Sequence, residues 1–285
     1  MKRDFKVSFF QVNMQKNSET FEDYLQRIQA LKQEERTETQ KNVRVDNLSF
    51  DDCKKLWTGA ITKIRMESLP ERMNQKTGAC SSLPISDDEG IAETTAFLFD
   101  PAINILLTQR SSYGPRESVL AEYVQKKCNS LPFEINVVLK KDMYERLKNV
   151  ATLYRLECAT AKLSPDAFSS NKSAGSFLRS LGTTDYVSIN LILTAEKKQG
   201  LAPWIKDLAL LLIKNISGRY KKLRIGSTFT DGSTDILDLL SAKKEEIISL
   251  ERDSFRTISF ITRKGILSTA YATNKENLYE LFGKN

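Results

Sequence analysis

Between residues 4 and 31 the apolar residues change their period. In "DFKVSFFQV", residues 4–12, they alternate with polar ones, the two-residue repeat of a half-buried strand. Phe21, Leu25, Ile28 and Leu31 instead recur at the spacing of one helical face. The chain is therefore committed to a mixed fold from its first thirty residues. The charged "KQEERTETQK" (32–41) reads as a connection, and "NVRVDNLSF" and "WTGAITKIRM" read as paired strands. Residues 67–90, with Pro70, Gly78 and Pro84, read as a long loop. "TTAFLFDPAINILLTQR" is two strands joined at Asp100-Pro101, a turn-favouring pair, and a helix follows from about residue 116 to 129.

Further along come strand "PFEINVVLKK", a helix over 141–150, strand "LYRLECATAK", a helix over 172–181 and strand "DYVSINLILTA". Pro203 opens a helix over "WIKDLALLLIKNI". "KKLRIGSTFT" and "TISFITRKG" read as strands and "KENLYELFG" as a short closing helix. The spacing is not that of regular βαβ units, no GxGxxG turn is present, and hairpin-like pairs are frequent. The expected class is α+β, with mixed, largely antiparallel sheets and interspersed helices. At 285 residues the chain has room for two subdomains, expected as an N-terminal α+β domain over 1–140 and a C-terminal one over 141–285.

Residue counts remove several kinds of chemistry. The chain has no histidine, which excludes Ser-His and Cys-His nucleophilic systems and His-ligated zinc. Cys53, Cys80, Cys128 and Cys158 form no CxxC pair and read as idle or buried thiols. No metal site, cofactor or catalytic residue is expected. The longest apolar run, "LALLLI" at 208–213, is far short of the roughly 20 residues that span a bilayer. "MKRDFKVSFFQV" lacks the uninterrupted apolar run and cleavage site of a signal peptide, so the expected location is cytoplasmic.

The net charge of +7 is unevenly spread. Between residues 197 and 224, Lys197, Lys198, Lys206, Lys214, Arg219, Lys221, Lys222 and Arg224 face Asp207 alone. Residues 231–253 reverse the balance, with seven acids against three bases. Cations near a helix C-terminus complement its dipole, and a solvated face is the plain structural reading. Four cations within six residues around Tyr220 also resemble a stripe that follows a phosphate backbone. Arg110 and Arg116 bracket a strand-to-helix turn, Ser111 to Pro115, and supply a second place of that kind. No zinc finger, RNP signature or basic zipper accompanies these cations, so the expected contacts are to phosphate and independent of base sequence.

A nuclease pattern is also present, since Asp185 and Glu196-Lys197-Lys198 match the D…ExK spacing of metal-dependent nucleases. The residues between alternate as one strand, and at about 3.3 Å per residue the two carboxylates would stand roughly 35 Å apart, too far to share a metal.

Three stretches resemble the RexA family, the cytosolic component of a phage exclusion system. They are "FLFDPAINILLTQRSSYGPRESVLAEYVQKK" (97–127), "FLRSLGTTDYVSINLIL" (177–193) and the basic helix containing "KDLALLLIKN" (206–215). The resemblance covers about half the chain and assigns structural parts to Gly114, Pro115, Leu181, Gly182 and Asp185. It implies a sequence-nonspecific double-stranded DNA-binding protein, homodimeric, that senses phage DNA structures and signals to a membrane-protein partner of the RexB kind. A similar role is attributed to the accessory component of the Kiwa antiviral defence system. The expectation is thus a DNA-binding protein of prophage or anti-phage defence, not an enzyme. The alternatives are a metal-dependent nuclease effector and a protein-interaction module in which the basic face meets the acidic 231–253 region of another copy.

Overall fold

The alternating opening stretch forms β1 (Lys2–Asn13), and the helical repeat after it forms α1 (Phe21–Ala30). The structure, a computed structural model, describes residues 2–15, 19–109, 111, 113–160, 189–196, 199–202, 205, 208–209, 212, 220–251 and 257–283. Helix α1 starts at a capping box. The Thr20 hydroxyl accepts from Asp23 N–H, and the Asp23 carboxylate accepts from Thr20 N–H at 2.8 Å. Its buried side, Phe21, Tyr24, Leu25 and Ile28, is the face marked by the sequence period.

Strands β2 (Val43–Asp51) and β3 (Leu56–Arg65) pair antiparallel as expected. The 67–90 loop carries a small exposed hairpin of β4 (Arg72–Met73) and β5 (Cys80–Ser81). Strand β6 (Ile91–Asp100) turns through Pro101 into β7 (Ile105–Gln109), which leads to α2 (Glu117–Cys128) and β8 (Glu134–Val137). Then follow α3 (Lys141–Lys148), β9 (Val150–Thr160), β10 (Ile189–Thr194), β11 (Tyr220–Phe229), β12 (Thr234–Asp238), β13 (Glu245–Glu251) and α4 (Phe260–Phe282). The class is α+β with largely antiparallel sheets. No helix among the described residues is long and apolar enough to cross a membrane.

The chain divides into two compact units. One comprises residues 1–8, 12–135 and 245–285, the other residues 9–11 and 136–244. A single cut near residue 140 is therefore corrected, because residues 245–285 return to the first unit. The physical reason is edge pairing. Strand β13 adds to β1 from Lys2↔Glu251 to Ser8↔Glu245, and α4 then packs on the sheet so formed.

In the first unit the strand order is β13-β1-β7-β6-β3-β2, with β8 pairing β1 off this path. Strand β6 shows why "AFLFD" reads as an unbroken apolar run. Phe99 meets Phe21 of α1 edge to face at 4.9 Å, while the next residue, Asp100, accepts a hydrogen bond at 2.5 Å from the Tyr271 hydroxyl of α4. Successive residues point to opposite faces, so both faces of the sheet are covered, and a strand covered on both sides loses its alternation.

Helix α4 overturns the reading of "TISFITRKG" as a strand and of "KENLYELFG" as a separate short helix. Ser259 caps its start by accepting from Thr262 N–H at 3.2 Å, and one helix continues to Phe282. Its β-branched opening, Ile258 to Thr262, imitates a strand. Its hold on the sheet is partly polar. Arg263 donates to Gln109 Oε1 at 2.8 Å, Tyr271 to Asp100, and Asn274 to Glu246 Oε2 at 3.0 Å, beside the buried Ile266, Leu267, Ala270 and Leu278.

The second unit holds a sheet of order β10-β9-β11-β12. Its core joins Leu156, Cys158, Leu223, Ile225 and Leu237 of the strands to Met143 of α3. Ile205, Leu208, Ala209 and Leu212, helical and buried, complete that core from one side and keep the period that suggested a helix there. Residues 9–11 join it through backbone bonds, Val138 N–H to Phe9 O at 2.9 Å and Phe9 N–H to Lys244 O at 3.4 Å.

Candidate nucleic-acid interface

After an irregularity at Lys221, strand β11 alternates from Lys222 to Ile225. Leu223 and Ile225 are buried in the core, so Lys222 and Arg224 lie on the opposite, outward face. Lys221, Lys222 and Arg224 thus belong to a strand, as "KKLRIGSTFT" is read in the sequence, and the strand's neighbours decide what they can do.

Those neighbours are acidic. Arg224 stands directly opposite Asp238 on β12 and Glu157 on β9. Its Nε donates to Asp238 Oδ2 at 3.0 Å. Lys222 Nζ lies 2.5 Å from Glu157 Oε2, and Arg155 Nε donates to Glu157 Oε1 at 2.6 Å. Glu157 is only 5% exposed although it faces away from the core. The hydrogen bond from Lys222 leads in holding its carboxyl below the ordinary glutamate range, burial opposes, and Arg155 adds to the lowering. Arg146 of α3 pairs with Asp235 of β12 and lies over the Phe229 ring, 5.6 Å from its centroid.

Among the described residues, one ion pair, Arg224 with Asp238, joins the basic segment to the acidic one. The β11–β12 hairpin turns at Asp231-Gly232, where Gly232 has φ +82°, a conformation that glycine adopts without strain. That turn lays Asp238 of the acidic stretch opposite Arg224 of the basic one. Lys221 is exposed and has no ion pair among the described residues. Lys197, Lys198, Lys206, Lys214 and Arg219 lie outside the described residues, as do the helix over 172–181, Asp185 and most of the two later stretches that resemble RexA. Glu196 is exposed just after β10. Among the described residues no group of three or more His, Cys, Asp or Glu could hold a metal ion.

The strand-to-helix turn belongs to the first unit, whereas Lys221, Lys222 and Arg224 belong to the second. Arg110 is outside the described residues. Arg116 is the N-cap residue of α2, exposed, and its side chain makes no capping bond. Tyr113 is exposed at 78%. Gly114 answers to geometry: a Cβ there would stand 2.4 Å from Thr95 Oγ1 and 3.0 Å from Thr94 O, so only glycine lets the turn lie on β6. Several other cations serve the fold. Lys127 donates to Glu35 O and Thr37 O at 2.8 and 2.6 Å, and Arg36 donates to Leu31 O and Gln29 O at 3.1 and 2.8 Å, satisfying carbonyls of the 29–37 connection.

Sequence reasoning missed Arg155 as a member of the outward cluster, and Arg3 and Arg263 as cations of the first unit. The Asp-Gly pair at 231–232, flanked by alternating residues, is a hairpin signal; as a two-residue loop it would set Leu239 opposite Arg224, and the three-residue loop formed by residues 230–232 sets Asp238 there instead. A family model described as a family of unknown function (DUF6731) matches residues 1–279. No curated protein matches the chain.

Proposed function

The chain belongs to the DUF6731 family, and since that family brings no function with it, we propose from the chain's own residues that it is a sequence-nonspecific double-stranded DNA-binding protein. The observation that carries this reading is the outward row of β11. Lys222 and Arg224 project from one face, and Lys221 beside them has no carboxylate partner among the described residues. Lysine and arginine on a strand face meet phosphates without reading base edges, which gives affinity that is electrostatic and indifferent to sequence. Arg155, Lys222 and Arg224 outnumber Glu157 and Asp238 on that face, and a DNA phosphate can take the place of a surface carboxylate at an exposed guanidinium.

A role in phage exclusion or anti-phage defence, a homodimer and a membrane-protein partner are supported by the resemblance to the RexA family and by nothing else. In this reading the protein signals by binding and catalyses no reaction. The alternative of an interaction module, in which basic and acidic segments of two copies meet, predicts self-association that persists without nucleic acid.

Gel shifts on unrelated duplexes of equal length test the proposal. The expected affinities agree within about tenfold, or about 1.4 kcal/mol. They fall steeply with salt, and Lys221→Gln flattens the log–log salt slope by about 0.9. One strongly preferred sequence, or no duplex binding at low salt, overturns it. Reproducible nicking of plasmid DNA with magnesium would favour a nuclease instead.

A further inference from the structure

Strand register lays out the outward face of the second unit in rows. Across β10, β9, β11 and β12, Ile192, Glu157, Arg224 and Asp238 stand in one row. In the rows on either side, Lys222 stands opposite Ala159 and Arg155 opposite Gly226. Alanine and glycine offer a cation nothing to pair with. Diagonal neighbours on a sheet face are about 7–8 Å apart, within reach of long side chains. Lys222 and Arg155 accordingly both turn to Glu157, one from the neighbouring strand and one from its own.

Both oxygens of that carboxylate are taken. Lys222 Nζ lies 2.5 Å from Oε2, Arg155 Nε donates to Oε1 at 2.6 Å, and Arg155 Nη2 meets the same Oε1. The two cations favour the charged form over the cost of burial, so Glu157 stays ionised although it is nearly enclosed. Asp238, the other acid of the row, is joined to the face by a single bond from Arg224 at 3.0 Å and is partly exposed. A phosphate arriving at Arg224 displaces a contact that water already screens. One arriving at Lys222 or Arg155 meets a negative charge fixed between them.

We infer that Glu157 is an autoinhibitory counter-ion, which withholds Lys222 and Arg155 from phosphates and so restrains the affinity of this face for polyanions. The inference rests on the reading of the face as a DNA-binding surface and concerns the regulation of that surface. Its three members lie in one sheet of one unit, and the contacts between them are short. Whatever neutralises or draws away Glu157 releases two cations at once.

The test compares three full-length proteins: the parent, Glu157→Gln, and the double variant Glu157→Gln with Lys222→Gln. Each is checked for folding by melting curves and titrated in gel shifts on one short duplex across a salt series. Each released cation that gains a phosphate steepens the log–log salt slope by about 0.9. Glu157→Gln should therefore steepen it by about 1.8 and bind about tenfold more tightly at low salt. The double variant has the parent's net charge and releases Arg155 alone, so its slope should exceed the parental one by about 0.9. It removes both partners of one pair together, which keeps the test informative if Glu157→Gln folds poorly. Parental affinity and slope in both variants overturn the inference and leave the DNA-binding proposal standing. A gain in Glu157→Gln that vanishes in the double variant also overturns it, because the effect then follows net charge. Duplex binding by Glu157→Gln when the parent binds none supports the restraint while removing the proposal that the parent chain binds duplex DNA. No binding by any of the three proteins removes both.

Discussion

Arg224 and Asp238 are direct cross-strand partners, and the guanidinium of one holds the carboxylate of the other at 3.0 Å. The last cation of the basic stretch and an acid of the acidic stretch thus sit on adjacent strands of one hairpin. With side chains 44% and 35% exposed, the pair is a solvent-screened contact. A double-mutant cycle on Arg224→Gln and Asp238→Asn, read by urea denaturation, should give a coupling of about 0.2–1 kcal/mol. The coupling should shrink in high salt.

Lys222 is a different case. Its partner Glu157 is nearly enclosed, and Arg155 alone is left to that carboxylate when Lys222 becomes Gln. Changing this cation on a supposedly solvated face therefore does not leave stability untouched. Lys222→Gln should cost about 1 kcal/mol, below the roughly 1.5–3 kcal/mol of an enclosed hydrogen bond to a charged group because the lysine side chain is 39% exposed. Lys221→Gln should lie within about 0.5 kcal/mol of the parent by the same denaturation.

Glu157 also makes stability depend on pH with a defined sign. Its folded pKa lies below the ordinary value of 4.5, so the unfolded chain takes up its proton first as pH falls. Its contribution is present above 4.5 and is lost as the pH drops through the lower folded pKa. Melting curves from pH 6 to 3 should decline less steeply in Glu157→Gln than in the parent, and equal slopes would assign the acid sensitivity to other carboxylates.

At Gly114, alanine would place a methyl group 2.4 Å from the Thr95 hydroxyl. The expected loss is about 1–3 kcal/mol. Thr95 is 3% exposed, and its hydroxyl has no hydrogen-bond partner among the described residues, so Thr95→Val should be neutral or stabilising. Thr95→Ala removes the atom that an alanine at 114 meets first, and the double variant should be less damaged than the sum of the singles. Strict additivity would place the clash at Thr94 O instead.

Tyr271→Phe deletes the hydroxyl that donates to Asp100, a carboxylate 1% exposed whose other oxygen accepts from Ala102 N–H at 2.9 Å. A loss of about 1.5–3 kcal/mol is expected, the range for a hydrogen bond to a buried charged group. Burial, with Asp100 next, raises the pKa of Tyr271 well above the ordinary tyrosine value, so its bond should persist through alkaline titration until the chain unfolds.

What was legible in the sequence was local. The period change between β1 and α1, the Asp100-Pro101 turn and the Gly114-Pro115 entry to α2 are each set by neighbours within a few residues, and propensity and pattern report such neighbours directly. Helix α4 was hidden because Arg263, Tyr271 and Asn274 anchor it by hydrogen bonds to Gln109, Asp100 and Glu246, which hydrophobic period does not record. The meaning of Lys222 and Arg224 was hidden for another reason. A run of cations shows charge, whereas their pairing depends on strand register, and Glu157 enters that register from β9, on the far side of residues 161–188.

The return of residues 245–283 to the first sheet has a consequence for synthesis. Asp100 waits for Tyr271 across a separation of 171 residues, and the Thr94 carbonyl waits for Arg263 across 169. At about 5–20 residues per second, a ribosome takes roughly 10 to 30 s to cover that interval. Throughout it, the face of β6 that carries Ala96 and Leu98 has left the exit tunnel without the helix that will shield it. The nascent chain therefore passes through a stage at which its central strands depend on chaperone cover or on the slow arrival of α4.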